Sequence, residues 1–410
     1  MSLRKNIFLI CGGVLGGIIL TESFSLLFLH LVNVSPEVNA INTKSHKGFR
    51  YHSHKQFRLS QPLPYLGSNY FDWFIKEEWS DQHPECFSGI SHRGQGISLT
   101  MGNTPNCRGK TILNGWRITT NAPKEFNKRI FIYGGSTAQN SEVPNNLTIA
   151  SYLQRIVNNT VREKIKVENR GFTTVVTSQQ NNFLKQENIG ENDIVVYYDG
   201  GNNIWQGVAN GNPKGTIIGS NTSQRRLVTF KKNLSNLNTY KFLKLIKPKK
   251  NKQCLIYNEP DARQLNERAN RSFDQLKEDL IYARNFTTDK KAYFIHLLQP
   301  HLFSVTLAEL TNYEKKLSQT TPSEMIPCFT QLYMRTGDSV FRKRHQELKS
   351  LNITSYDIGG VFANRELNPN LEKVEANKEI YLDFMHVNEV GNKIIAHEIF
   401  RILKINKLIN

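Results

Sequence analysis

The chain has 410 residues, 39% of them hydrophobic and 21% charged, with a formal net charge of +18. That composition excludes a disordered or collagen-like chain and suffices for a large domain with its own core. The basic excess favours acidic partners such as anionic headgroups or acidic glycans; nucleic acid is not expected, because no helix-turn-helix, zinc-finger or RNA-binding signature occurs.

Residues 1–6 form a short tip containing Arg4 and Lys5. Residues 7–20 are apolar, Thr21, Glu22 and Ser23 interrupt, and 24–32 resume the apolar run. Together they exceed the ~20 residues that span a bilayer. The basic flank places the tip in the cytoplasm and the remainder outside, by the positive-inside rule. The expectation is a single-pass membrane protein with an anchor at 7–32 and a periplasmic or extracellular domain. A cleaved signal peptide, cut after Val38-Asn39-Ala40, is the alternative.

Residues 33–125 read as a polar tether and an N-terminal extension that packs on the main domain. From residue 126 the pattern changes. Short apolar runs at 129–133, 165–169, 193–198 and 292–298 read as buried strands, each followed by glycine, asparagine or proline turns. Residues 149–161 and 390–403 carry apolar side chains at helical spacing. Strands alternating with helices predict an α/β domain, 126–410, with a parallel sheet covered on both faces. Residues 205–253, rich in Asn, Gly and Lys, read as an insertion.

Of five cysteines, Cys11 falls in the anchor. Cys86, Cys107, Cys254 and Cys328 are even in number and read as two disulfides in an oxidising compartment. Three pairings are possible; nearness in sequence favours Cys86 with Cys107 and Cys254 with Cys328. No CxxC or HxxxH spacing suggests a metal site.

Four segments carry candidate chemistry, three of them directly after predicted strands, where open parallel sheets place their sites. Tyr133-Gly-Gly-Ser-Thr137 puts Ser136 after a strand and two glycines. Asn169-Arg-Gly171 offers a backbone N–H, and Tyr198-Asp-Gly-Gly-Asn-Asn203 offers a side-chain amide, to an oxygen that becomes negative. Asp383-Phe-Met-His386 spaces a carboxylate and an imidazole so that the Asp can fix the His tautomer while the His takes a serine proton. Each alone has an ordinary reading as a turn or helix cap. The order of all four is the informative feature.

That order resembles the SGNH hydrolases, or GDSL-like esterases, over roughly residues 126–403, with Gln299-Pro300 similar to membrane-anchored members. The resemblance implies a flavodoxin-like three-layer sandwich with a central parallel sheet. It implies Ser136 as nucleophile, His386 as general base oriented by Asp383, and an oxyanion hole from Ser136 N–H, Gly171 N–H and the Asn202 side chain. Gly135 stands where many members carry Asp, and Asn203 where Asp is frequent, which leaves subfamily and substrate open. The expected activity is serine ester hydrolysis without metal or organic cofactor, on acylated (first guess O-acetylated) surface glycans or lipids. The rivals are an O-acyltransferase using the same triad, and a non-catalytic glycan-binding or assembly protein. Oligomeric state is left open.

Overall fold

The computed structural model describes residues 90–92, 99–101, 104–107, 110–140, 143–215, 261–304, 310–319, 330–363, 380–382 and 384–410. Every described residue belongs to one compact unit, His54–Ile217 with Cys254–Asn410. The expected anchor at 7–32, Cys86, Cys254, Cys328 and Asp383 lie outside the described residues. Cys107 ends a short strand, Thr104–Cys107. Among the described residues no helix is long and apolar enough to cross a membrane.

Five parallel strands make the central sheet: β1 (Lys128–Gly134), β2 (Ile165–Gly171), β3 (Ile194–Asp199), β4 (Tyr293–Leu298) and β5 (Ser355–Asp357). Their order is β5-β4-β3-β1-β2, the doubly wound order of flavodoxin-like sheets. Among the described residues, helical segments are set around or beyond the strands: α1 (Ser136–Gln139), a 3-10 turn Asn145–Leu147, α2 (Ile149–Thr160), α3 (Thr177–Gln186), α4 (Gly201–Ile204), α5 (Ala262–Asp289), α6 (Asn312–Gln319), α7 (Thr330–Arg344), α8 (Glu347–Ser350) and α9 (Glu389–Ile405). A π-turn, Trp205–Ala209, continues α4 and packs against α5 and α7.

Side-chain alternation along the strands explains the three layers. Ile130 and Ile132 of β1 join a core with Leu153 and Val157 of α2 and Ile395 and Ile399 of α9. Phe131 and Tyr133, on the opposite face, join Leu184 of α3, Phe273 and Leu276 of α5 and Phe341 of α7. Both faces of the central strands are therefore apolar and covered, as continuous hydrophobic runs require. Capping sets the helix starts: Thr148 Oγ1 accepts from Ser151 N–H at 3.2 Å ahead of α2, and Asn388 Oδ1 accepts from Val390 and Gly391 N–H at 3.1 Å each ahead of α9.

The extension contributes short antiparallel strands rather than an unpatterned coil. Thr104–Cys107, Lys110–Leu113 and Trp116–Arg117 form a three-stranded meander. Its last turn uses Asn114 and Gly115, both at positive φ (52° and 83°), the pattern of a tight two-residue hairpin. Of the expected insertion 205–253, residues 205–215 are described and include the π-turn; the rest lies outside the described residues.

Candidate active site

Ser136 begins α1 directly beyond β1, with Gly135 as the extended N-cap residue (φ −78°, ψ −154°). At the first helical position its N–H has no acceptor within the helix. His386 Nε2 stands 2.7 Å from Ser136 Oγ, across 250 residues of sequence, and each side chain is 3% exposed. A neutral imidazole at that distance can accept the hydroxyl proton.

Both partners are held from several sides. Arg117, from the meander, is buried and donates to Asn145 Oδ1 at 3.0 Å, to the Gln139 carbonyl at 3.0 Å, and to the Asn140 and Val143 carbonyls. It thereby clamps the C-terminal end of α1. Asn140 closes that helix in the left-handed region (φ 54°) and its Nδ2 donates to Asn392 Oδ1 at 2.9 Å. Asn392 lies in the first turn of α9, just beyond His386, so one amide pair ties the nucleophile's helix to the helix that follows the histidine. The histidine segment folds back on itself: Tyr381 bridges Val387, and Leu382 N–H donates to the His386 carbonyl at 2.8 Å. Glu314 Oε1 accepts from Ile380 and Tyr381 N–H at 2.8 and 3.2 Å. Asp383 falls inside this returning segment and outside the described residues.

Asn202 sits in α4, beyond β3. Its Nδ2 donates to the Val175 carbonyl at 2.9 Å and lies so close to Gly135 that a Cβ there would stand 2.2 Å away. Asn202 and the serine turn are thus in direct contact, and one amide hydrogen remains uncommitted by that bond. Gly171 ends β2 opposite Gly134. A Cβ on Gly171 would stand 2.2 Å from Gln139 N and 2.5 Å from Ala138 C, so only glycine lets α1 lie this close to the strand. Its N–H donates to Asn169 Oδ1 at 2.9 Å, and Asn169 Nδ2 donates to the Ala138 carbonyl at 3.0 Å. Gly171 can therefore serve an oxyanion only by exchanging that bond.

Several residues of this neighbourhood carry no mark in the sequence. Arg117, Asn392 and Thr137 act through contacts distant along the chain. Thr174, three residues after Gly171, has φ +64°, an outlying conformation for a β-branched side chain. Behind the Asn202 turn lies a buried polar chain. His345 Nε2 is 2.7 Å from Ser355 Oγ, His296 Nδ1 is 2.7 Å from the same oxygen, and His296 Nε2 is 2.9 Å from Asp199 Oδ1. Thr177 Oγ1 donates to Asp199 Oδ2 at 2.7 Å. Ser355 Oγ thus bridges the two imidazoles, and Asp199 takes one hydrogen bond from Thr177 and one contact from His296. Among the described residues, no group of three or more His, Cys, Asp or Glu is arranged to hold a metal ion.

Fold and site together define an α/β domain with a serine–histidine pair at the carboxyl edge of a parallel sheet. No protein-family model and no curated protein matches the chain. Solved structures similar to it include a G-D-S-L-family protein, named as lipolytic, from Desulfitobacterium hafniense (11% identity, 68% of this chain and 100% of that one, TM-score 0.33). A catalytic mutant of an acetylxylan esterase from Geobacillus stearothermophilus is similar at 12% identity over 70% of this chain and 95% of that one, TM-score 0.37. A lipase/acylhydrolase from Enterococcus faecalis is similar at 13% identity over 69% and 98%, TM-score 0.36. At such scores the likeness carries no argument about the reaction, which is read from the site alone.

Proposed function

We propose that this chain is a serine ester hydrolase with Ser136 as nucleophile and His386 as general base. The observation that carries the reading is the 2.7 Å contact between His386 Nε2 and Ser136 Oγ, both buried, at the sheet's carboxyl edge. In the reaction, the Ser136 oxygen attacks the ester carbonyl carbon while His386 Nε2 takes its proton. The carbonyl electron pair moves onto oxygen, and Ser136 N–H, the Asn202 amide and, on exchanging its bond to Asn169, Gly171 N–H stabilise that oxyanion. Collapse expels the alcohol, which receives the proton from His386. Water, deprotonated by the same imidazole, then releases the acid from the acyl-enzyme. Asp383 is assigned to hold the Nδ1–H tautomer.

The finer reading places this domain outside the membrane on the anchor at 7–32, acting on acylated surface glycans or lipids, O-acetyl groups first. The apolar run behind a basic tip supports the location, and the net charge of +18 supports an acidic surface as the target.

The test is hydrolysis of p-nitrophenyl acetate by the full chain beside its Ser136→Ala variant. The expected loss of turnover is about a thousandfold or more with the fold retained. Equal rates from the two folded proteins would sink the proposal.

A further inference from the structure

Gln299 directly follows β4, which is separated from β1 by β3. Neighbouring strands stand about 4.8 Å apart, so roughly 10 Å lie between the ends of β4 and β1. The Gln299 side chain nevertheless reaches the nucleophile's helix, where Thr137 Oγ1 donates to its Oε1 at 3.1 Å. To do so it must cross the end of β3. It crosses over Gly201, where a Cβ would stand 2.6 Å from Gln299 Nε2 and 3.5 Å from the Met385 methyl. The glycine after Gly200 therefore opens the passage, and the amide occupies the meeting point of the serine, asparagine and histidine segments.

The backbone of Gln299 is fixed on both sides. Its N–H donates to the Asp199 carbonyl at 2.9 Å, and its carbonyl accepts from Arg342 Nη2 at 3.1 Å. Arg342 is itself held by Asp338 at 2.7 Å, by Ser304 Oγ at 2.6 Å and by Asp357. The side chain is 3% exposed, yet Nε2 has no hydrogen-bond partner among the described residues. Turning the amide over does not help, because Oε1 would then face Gly201 unpartnered and the Thr137 hydroxyl would lose its acceptor. An unpartnered buried amide carries its full desolvation penalty. A methionine of the same length would fill this space without that penalty. The amide is thus a stability liability, and what it supplies in return is the grip on Thr137.

We infer that Gln299 is a positioning residue of this site. It sets the pitch of the helix carrying Ser136 against the turn carrying Asn202 and the segment carrying His386. Thr137 is the residue next to the nucleophile, so an error in its placement moves Ser136 Oγ off the imidazole. The inference rests on the serine hydrolase reading.

The experiment measures steady-state hydrolysis of p-nitrophenyl acetate, rate of labelling by a fluorophosphonate, and thermal melting. It uses the full chain and its Gln299→Met, Thr137→Val, Thr137→Ser, Ser136→Ala and Gln299→Met/Thr137→Val variants. Gln299→Met is expected to melt at or above the parent temperature. Its kcat is expected to fall about ten- to a hundredfold at unchanged KM, the scale of effect for a reacting group displaced by about an ångström. Thr137→Val falls similarly, Thr137→Ser stays within about twofold because it keeps the hydroxyl, and the double variant falls no further than Gln299→Met alone. A Gln299→Met kcat equal to the parent's, or losses that multiply in the double variant, overturns the inference alone. A parent without Ser136-dependent turnover or labelling overturns the hydrolase reading, and this inference with it.

Discussion

Asn202 has one amide hydrogen committed to the Val175 carbonyl and its nitrogen pressed against Gly135, one residue before the nucleophile. Under the proposed mechanism the other hydrogen serves the developing oxyanion. Asn202→Ala is therefore expected to lower kcat about 10²–10³-fold with little change in KM. Steady-state kinetics beside a melting curve would check it; a change below about threefold would remove Asn202 from the machinery. Asn202 was nominated from the sequence, as a side-chain amide after a strand and two glycines and by the order of the four motifs. Gly171 was nominated from the sequence as a backbone donor, but the bond that occupies that donor was not legible there. Its N–H is taken by Asn169, and its tightest constraint is the backbone of α1 lying across it. The strained Thr174 had no sequence signal, since a β-branched residue is not expected at positive φ.

Among elements, the four residues of α1 are the ones that everything else holds in place. Arg117 grips its end, Asn169 its Ala138 carbonyl, Asn392 its capping Asn140, and Gln299 its Thr137. A helix this short has little stability of its own, so its position is a property of these neighbours. Gly171→Ala tests the arrangement, because the new methyl meets backbone atoms that cannot rotate away. The expected cost is about 1–3 kcal/mol in urea unfolding, with a loss of turnover as α1 lifts from β2. An alanine variant with parental stability and activity would show that α1 is free to shift. The central strands and α9 were readable from their apolar runs and helical spacing. The 28-residue α5 was not, although Leu265, Ala269, Phe273, Leu276, Leu280 and Ala283 carry its apolar stripe. Its abundant charged and polar residues obscure a stripe that is only one face wide.

At the scale of the whole molecule, the buried chain from His345 through Ser355 and His296 to Asp199 links the end of α7 to β5, β4 and β3. Burial, with His296 and Arg342 adding to it, pushes His345 down to about 4. The unfolded chain takes up that proton near pH 6.5, whereas the folded chain resists until about 4. The unfolded state thus binds more protons between those values, and stability is lost as pH falls through that window. Thermal melting from pH 7 to pH 4 should show this decline, and His345→Gln should flatten it. An unchanged pH slope in the variant would show that other groups set the acid limit.

Sequence order alone was enough to indicate an α/β domain and to nominate Ser136, Gly171, Asn202, Asp383 and His386, because buried parallel strands and strand-end glycines are local patterns that survive without coordinates. The tertiary structure was needed for the contact between Ser136 and His386, for the bond that occupies Gly171, and for the roles of Arg117, Asn392, Thr137 and Gln299. Those depend on which strand lies beside which and on how closely a helix approaches a glycine. Such distances arise between segments far apart in the chain, and no local pattern of residues encodes them.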